Sequence, residues 1–352
     1  MSASLPVVRI LSSTVAAPAE RVEQARVKAL CRDLAGGSPA LYERMAPVFD
    51  NAGVEARRAA APIAWYRAPG GWPERAARFE AAAPPLLIEA AEGALAEADL
   101  AAADIDHIVT VGTTGIATPS LEARIAGPLG LKPTATRMPV FGLGCAGGVL
   151  GLARAAALAR AAPGSRVLLL AVELCTLAFR PQDRDKSALV ASALFGDGAA
   201  ALLLSTDGPA GAPALGASGE HLWPDTLDVM GWRVEEDGLG VVFSRAIPAL
   251  IERDLPEALD RFLAQAGVER PALDGWLLHP GGAKVLAAYE RALGLPADAL
   301  ADSRAVLAEY GNMSSVGVLA VFDRARRRGL RGRMLMAALG PGFTAGFQLL
   351  EM

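Results

Sequence analysis

The stretch Met138–Leu158, MPVFGLGCAGGVLGLARAAAL, supports two incompatible readings. Gly142, Gly144 and Gly147 spell G-x-G-x-x-G between an apolar run and a helical run, the spacing of a turn that cradles a dinucleotide pyrophosphate. Glu173, closing the next apolar run VLLLAVE, stands where such a turn keeps its ribose-binding acid. Cys145, however, lies inside the turn, at a helix-opening position that favours a nucleophilic thiolate. Gly144, Ala146, Gly147 and Gly148 would then give an acyl group room to approach the sulfur, and backbone N–H groups would face an oxyanion.

The second half of the chain echoes this unit. DIDHIVTVGTTG precedes CAGGVLGLARAAALARAAPGSRVLLLAVE, which starts at Cys145; ALDGWLLHPGG precedes NMSSVGVLAVFDRARRRGLRGRMLMAALGPG, which starts at Asn312. Gly112 and His279 are 167 positions apart, as are Cys145 and Asn312. The offset predicts a duplicated βαβ-containing unit with a pseudo-twofold axis, in an α/β chain whose halves divide as residues 1–205 and 206–352. Chance similarity between Ala- and Leu-rich segments is the alternative. The second turn, EYGNMSS, loses the glycines but keeps a polar residue at the Cys145 position, so a function shared by both turns falls to Cys145 and Asn312.

Three histidines are present, and they differ in setting. His107 lies within a strand-like run and His221 in the polar stretch ASGEHLWPD, whereas His279 ends an apolar strand and is followed by Pro280-Gly281-Gly282, which stops the ladder and admits a substrate. Asn312 reads either as a helix N-cap or as an amide donor to a developing oxyanion. Cys31 and Cys175 read as small buried hydrophobes.

Composition narrows the field. The 352 residues are 52% hydrophobic but only 5% aromatic, suiting Ala-rich helices packed on a buried sheet. A formal charge of −4 from interspersed residues offers no footprint for nucleic acid or an anionic membrane. Three cysteines at irregular spacing fit neither a disulfide framework nor a zinc site. The start, MSASLPVVRILSSTVAAP, lacks a secretory pattern, and no uninterrupted apolar run reaches about 18 residues, so a cytoplasmic protein without a membrane span is expected.

In order along the chain, YERMAPVFDNAGVEARR (Tyr42 to Arg58), GCAGG, VELCTLAFRP, ALFGDGAAALLL, HPGGAKVL, EYGNMSSVGVL and LGPGFTAG resemble the type III polyketide synthases, the chalcone and stilbene synthase family. The resemblance implies a thiolase-like layered αβαβα fold and a homodimer. It makes Cys145 the nucleophile, with His279 and Asn312 aiding decarboxylation of malonyl-CoA. Substrate or cavity positions would be Phe195, Thr113, Thr114, Cys175, Ala178, Val241, Gly281, Gly282, Ser314 and Pro341. Arg44, Arg57 and Arg58 would bind coenzyme A, and Thr118-Pro119 would reach into the partner's cavity. Coenzyme A thioesters are implied as substrates, and no separate cofactor.

Departures bear on the product. Val241 stands where plant members carry a second gatekeeping phenylalanine, with Phe243 nearby, and Cys175 and Ala178 replace two threonines. The wording around Cys145 and Cys175 is most similar to alkylresorcinol and alkylpyrone synthases, which use fatty acyl-CoA starters. A malonyl-primed tetrahydroxynaphthalene-type synthase would keep the same three residues, as would an initiating β-ketoacyl carrier-protein synthase. A non-catalytic acyl-CoA-binding paralogue and a nicotinamide-dependent oxidoreductase are the readings from other classes.

Overall fold

The computed structural model describes residues 5–34, 39–183 and 185–352, with side chains except at 39–41; residues 1–4, the start of the stretch read for a leader, lie outside it. Its strands are β1 (Val8–Ala16), β2 (Glu20–Glu23), β3 (Ala56–Ala59), β4 (His107–Val111), β5 (Thr136–Val140), β6 (Val167–Leu174), β7 (Asp197–Ser205), β8 (Ala214–Leu222), β9 (Met230–Glu235), β10 (Gly238–Phe243), β11 (Gly275–Leu278), β12 (Arg333–Gly340) and β13 (Thr344–Glu351). Nine form one mixed sheet in the order β11-β12-β13-β8-β1-β7-β6-β4-β5, while β2 pairs with β3 and β9 with β10.

The duplication is visible in that order. β5-β4-β6-β7-β1 and β11-β12-β13-β8 meet where β1 pairs antiparallel with β8 through Val8 and Arg9 only. In each half a parallel pair comes first, β4 with β6 and β11 with β12, followed by an antiparallel neighbour. The boundary between residues 205 and 206 falls in the β7–β8 connection. The 167-residue echo holds for β4 and the helix-opening turns but slips by one at the last strand: His107 pairs with Val167, 60 positions on, whereas Gly275 pairs with Met334, 59 on.

Every residue of β6 and β7 is buried, because helices cover both faces of the sheet and no polar side is needed. The helix Trp72–Glu97 packs on β1, β6 and β7, and the helix Ile247–Gln265 packs on β13. Between the halves lie the two related helices, Gly147–Ala161 and Ser315–Arg327, which touch each other and strands of both halves. The result is the thiolase-like layered α/β fold.

The central helices are unusually close. A Cβ on Gly148 would lie 2.2 Å from the carbonyl oxygen of Ser315 and 2.7 Å from Val318 Cγ1. A methyl there meets backbone rather than a movable side chain, so the helices must separate. Gly148→Ala is expected to destabilise the protein by about 3 kcal/mol, the upper part of the overpacking range, seen as a lower Tm. An unchanged Tm would show that the helices do not meet at this distance.

Candidate active site

Cys145 lies on the single turn Gly144–Ala146 that leads into the helix Gly147–Ala161, and it is buried. Gly144 has φ +49°, and a Cβ there would sit 2.5 Å from Pro341 Cδ, so conformation and space both require glycine. Its N–H donates to Thr113 Oγ1 at 3.2 Å. A Cβ on Gly147 would strike Val111 Cγ1 at 2.7 Å. The room expected here for an acyl group is therefore taken by protein, and Gly144, Gly147 and Gly148 serve close packing of the two halves. The dinucleotide reading fails on the same contacts, and on Glu173. That carboxylate is fully buried, accepting from the Thr113 N–H at 3.0 Å and Ser315 Oγ at 2.7 Å, with no face left for a ribose.

Asn312 comes from the equivalent turn of the second half and is fully buried. Its Oδ1 accepts from the Ser314 N–H at 2.8 Å and its Nδ2 donates to the Gly281 carbonyl at 3.2 Å, which fixes the amide orientation. The Asn312 and Ser314 side chains lie on the Cys145 side of this turn and favour ionisation of its thiol. Ser314 is held at φ +47°, a conformation supported by the hydrogen bond its N–H donates to Asn312 Oδ1, just before the helix Ser315–Arg327. His279 follows β11 and is buried; Gly281 and Gly317 flank its ring, a Cβ on Gly317 lying 3.1 Å from His279 Nδ1. Neither ring nitrogen has a hydrogen-bond partner among the described residues.

Burial governs the protonation of this site. It pushes the Cys145 thiol up to about 12, with the Glu173 carboxylate adding to the rise and the Ser314 and Asn312 side chains opposing it. It pushes His279 down to about 3. The helix N-terminus is thus outweighed, and burial favours a neutral thiol and a neutral imidazole.

The remaining positions divide by location. Cys145, Cys175, Phe195, Val241, Ser314 and Pro341 line a small cavity at the sulfur. Phe243 lines it too, its ring 6.1 Å from that of Phe195, and also lines the large groove outside, so the cavity and the groove meet at Phe243. Thr114 borders a separate space beside Leu239, and Ala178 lies between that space and the apolar cavity that also contains Cys175. Thr113 acts beneath the turn, through its bonds to Gly144 and Glu173.

The groove is lined by Gly281, Gly282, Arg44, Lys186, Arg245 and Lys284 among others. Of these cations only Arg44 stood out in the sequence, because the rest are scattered over three other segments. Arg57 is not in the groove. It is 3% exposed and donates to the carbonyls of Ser192 (2.6 Å), Phe195 (2.8 Å) and Ala193 (2.9 Å), so the buried guanidinium clamps the segment that carries Phe195. Arg58 points elsewhere as well, to the Ala19 carbonyl at 3.2 Å. Thr118 and Pro119 lie in an exposed loop before the helix Leu121–Leu129.

A thiol and an amide from duplicated halves, meeting at the inner ends of paired helices under a cationic groove, define a condensing acyltransferase of the thiolase-like fold. The chain belongs to the chalcone and stilbene synthase family, the type III polyketide synthases, which catalyse decarboxylative Claisen condensation. The model of the family's N-terminal domain matches residues 69–208 and that of its C-terminal domain residues 214–350. A 1,3,6,8-tetrahydroxynaphthalene synthase of Streptomyces peucetius subsp. caesius is 41% identical over 349 residues, covering 96% of this chain and 91% of that protein. A putative chalcone synthase of Bacillus subtilis is 34% identical, covering 96% of each. The crystal structure of 1,3,6,8-tetrahydroxynaphthalene synthase from Streptomyces coelicolor superposes with a TM-score of 0.93 at 30% identity, covering 97% of this chain and 99% of that one.

A neutral resting thiol has a kinetic signature. Alkylation of Cys145 by iodoacetamide, followed site by site with mass spectrometry, is expected to accelerate about tenfold per pH unit from roughly pH 7 to 10, since the thiolate fraction rises toward a pKa that burial has raised. A plateau near neutral pH would reveal a preformed thiolate–imidazolium pair instead.

Proposed function

We propose that the chain, as a homodimer, loads an acyl group from coenzyme A onto Cys145, extends it with malonyl-CoA and cyclises the product to an alkylresorcinol or alkylpyrone. The carrying observation is an apolar-lined space beyond the sulfur. It shares Cys175, Phe195 and Val241 with the cavity at Cys145 and continues past Val27, Leu30 and Tyr66. A fatty acyl chain matches that lining, at about 0.8 kcal/mol for each methylene buried.

The steps follow from the groups present. The Cys145 proton passes to His279 as sulfur attacks the starter's carbonyl carbon; the C–S bond to the enzyme forms, and coenzyme A leaves as a thiolate that takes that proton. Arg44, Lys186, Arg245 and Lys284 suit the phosphates of the departing and incoming coenzyme A. When the bound malonyl group loses carbon dioxide, the electron pair of the broken C–C bond forms a thioester enolate. Its oxygen accepts hydrogen bonds from the His279 N–H and from the Asn312 N–H not committed to Gly281. The neutrality of His279 serves this step, because a buried neutral donor stabilises the enolate without quenching it by protonation. The enolate carbon attacks the carbonyl of the Cys145 thioester, the C–S bond to Cys145 breaks with the electron pair going to the Cys145 thiolate, and the chain, two carbons longer, is left on coenzyme A, from which Cys145 can be reloaded.

A malonyl-primed naphthalene-forming reaction is the second reading, favoured by the tetrahydroxynaphthalene synthases among the relatives. Incubation with malonyl-CoA and starters from acetyl- to long-chain acyl-CoA, read by intact-protein and product mass spectrometry, separates the two. A long-chain adduct on Cys145 and alkylated products are expected; a malonyl-only pentaketide with no acyl adduct would overturn the first reading. Cys145→Ala is expected to abolish loading. Asn312→Ala is expected to keep loading while slowing malonyl decarboxylation by about 10²–10³.

A further inference from the structure

The apolar cavity ends at a wall. Beyond it lies a second cavity, lined by Cys31, Leu34, Tyr42 and Met45, which meets the cationic groove at Met45 and Lys186. The two cavities share five residues: Phe179, Arg180, Asp183, Ala188 and Ser192. Only Phe179 and Arg180 among them have side chains long enough to close the space between. Arg180 is fixed in place on two sides, its Nε donating to Asp237 Oδ1 at 2.7 Å and its Nη1 to Asp183 Oδ2 at 3.1 Å. The partners belong to different elements, since Asp183 lies in the loop after the turn Cys175–Ala178 and Asp237 in the β9–β10 connection. Arg180 and Asp183 are 16% and 11% exposed in their side chains, so the pair is sheltered.

We propose that Arg180, pinned by Asp183 and Asp237 and backed by Phe179, is the stop that sets the longest acyl chain this enzyme accepts. The inference rests on the acyl-starter reading above. An acyl chain on Cys145 runs past Cys175 into the apolar cavity, and its terminal methyl meets a guanidinium held by two carboxylates. Displacing that group would break its pair with the sheltered Asp183 as well as its pair with Asp237, which is 45% exposed, and leaving it means the next methylene has nowhere apolar to go. Chains shorter than the stop gain burial with every carbon; longer ones do not. Without the Arg180 side chain the two cavities join, and the length limit moves outward.

The test is a series of saturated acyl-CoA starters of increasing length, measuring KM and kcat for malonyl-dependent extension and the adduct on Cys145. In the wild type, KM is expected to fall about fourfold per carbon, the factor that corresponds to one buried methylene, until an optimum and then to rise. Arg180→Ala is expected to move that optimum to longer chains. Arg180→Met, which refills the wall but has no ion pair to hold it there, is expected to move the optimum outward by less than Arg180→Ala. Phe179→Ala opens the same wall from the other side and gives the reading should Arg180→Ala fail to fold. Folded Arg180→Ala or Phe179→Ala protein with the wild-type optimum would overturn the proposal. Failure of the underlying reading looks different: the wild type itself would take no acyl starter of any length.

Discussion

Two helices that leave no room between them for a methyl group hold the reaction centre together. The contact of Gly148 with the carbonyl of Ser315 brings the turns before both helices, one bearing Cys145 and the other Asn312, to the same place. Glu173 fastens that meeting, with one carboxylate oxygen on the Thr113 N–H from the first half and the other on Ser315 from the second. The packing that joins the halves is therefore the packing that builds the site.

Such closeness fixes the electrostatics. Once the turns are buried against each other, neither Cys145 nor His279 retains enough solvent to carry a charge at rest, and the thiol goes up while the imidazole goes down. Charge then appears only when substrate brings its own carbonyl or carboxylate. Asn312 is ready for that moment because its amide is oriented in advance by Ser314 and Gly281. Phe195 is likewise fixed indirectly: Arg57 holds its carbonyl, and the segment beside it pairs with Asn312 through the Asn312 N–H to Leu194 and the Gly196 N–H to the Asn312 carbonyl.

Much of this was legible in the sequence because strand and helix periods are local. HIVTV, VLLLAVE and MLMAALG are strands as read, and Cys145 and Asn312 do occupy equivalent turns. Proximity across the fold was less accessible. The glycines around Cys145 read as open space, when Pro341, Val111 and Ser315, distant in sequence, fill it. Arg57 and Arg58 are adjacent in a basic-looking segment, yet a strand sends one into the core and the other outward, and neither reaches the groove. Lys186, Arg245 and Lys284 gave no signal, since a cationic groove assembled from single residues has no motif. Val241 and Phe243 carry the same lesson at short range: alignment along β10 singled out Val241, which lines the cavity at the sulfur, while Phe243 packs its ring against Phe195 and also lines the groove.

The central claim is that the Gly-rich turn presents a nucleophile and that the acyl chain runs behind it into the apolar cavity. A crystal structure of the Cys145→Ala protein with a long-chain acyl-CoA tests it most directly. The account predicts phosphates beside Arg44 and Lys284, a thioester carbonyl facing His279 and Asn312, and an acyl chain passing Cys175 toward Arg180. Phosphates seated on the turn Gly142–Gly147, or an acyl chain left in the outer groove, would contradict it.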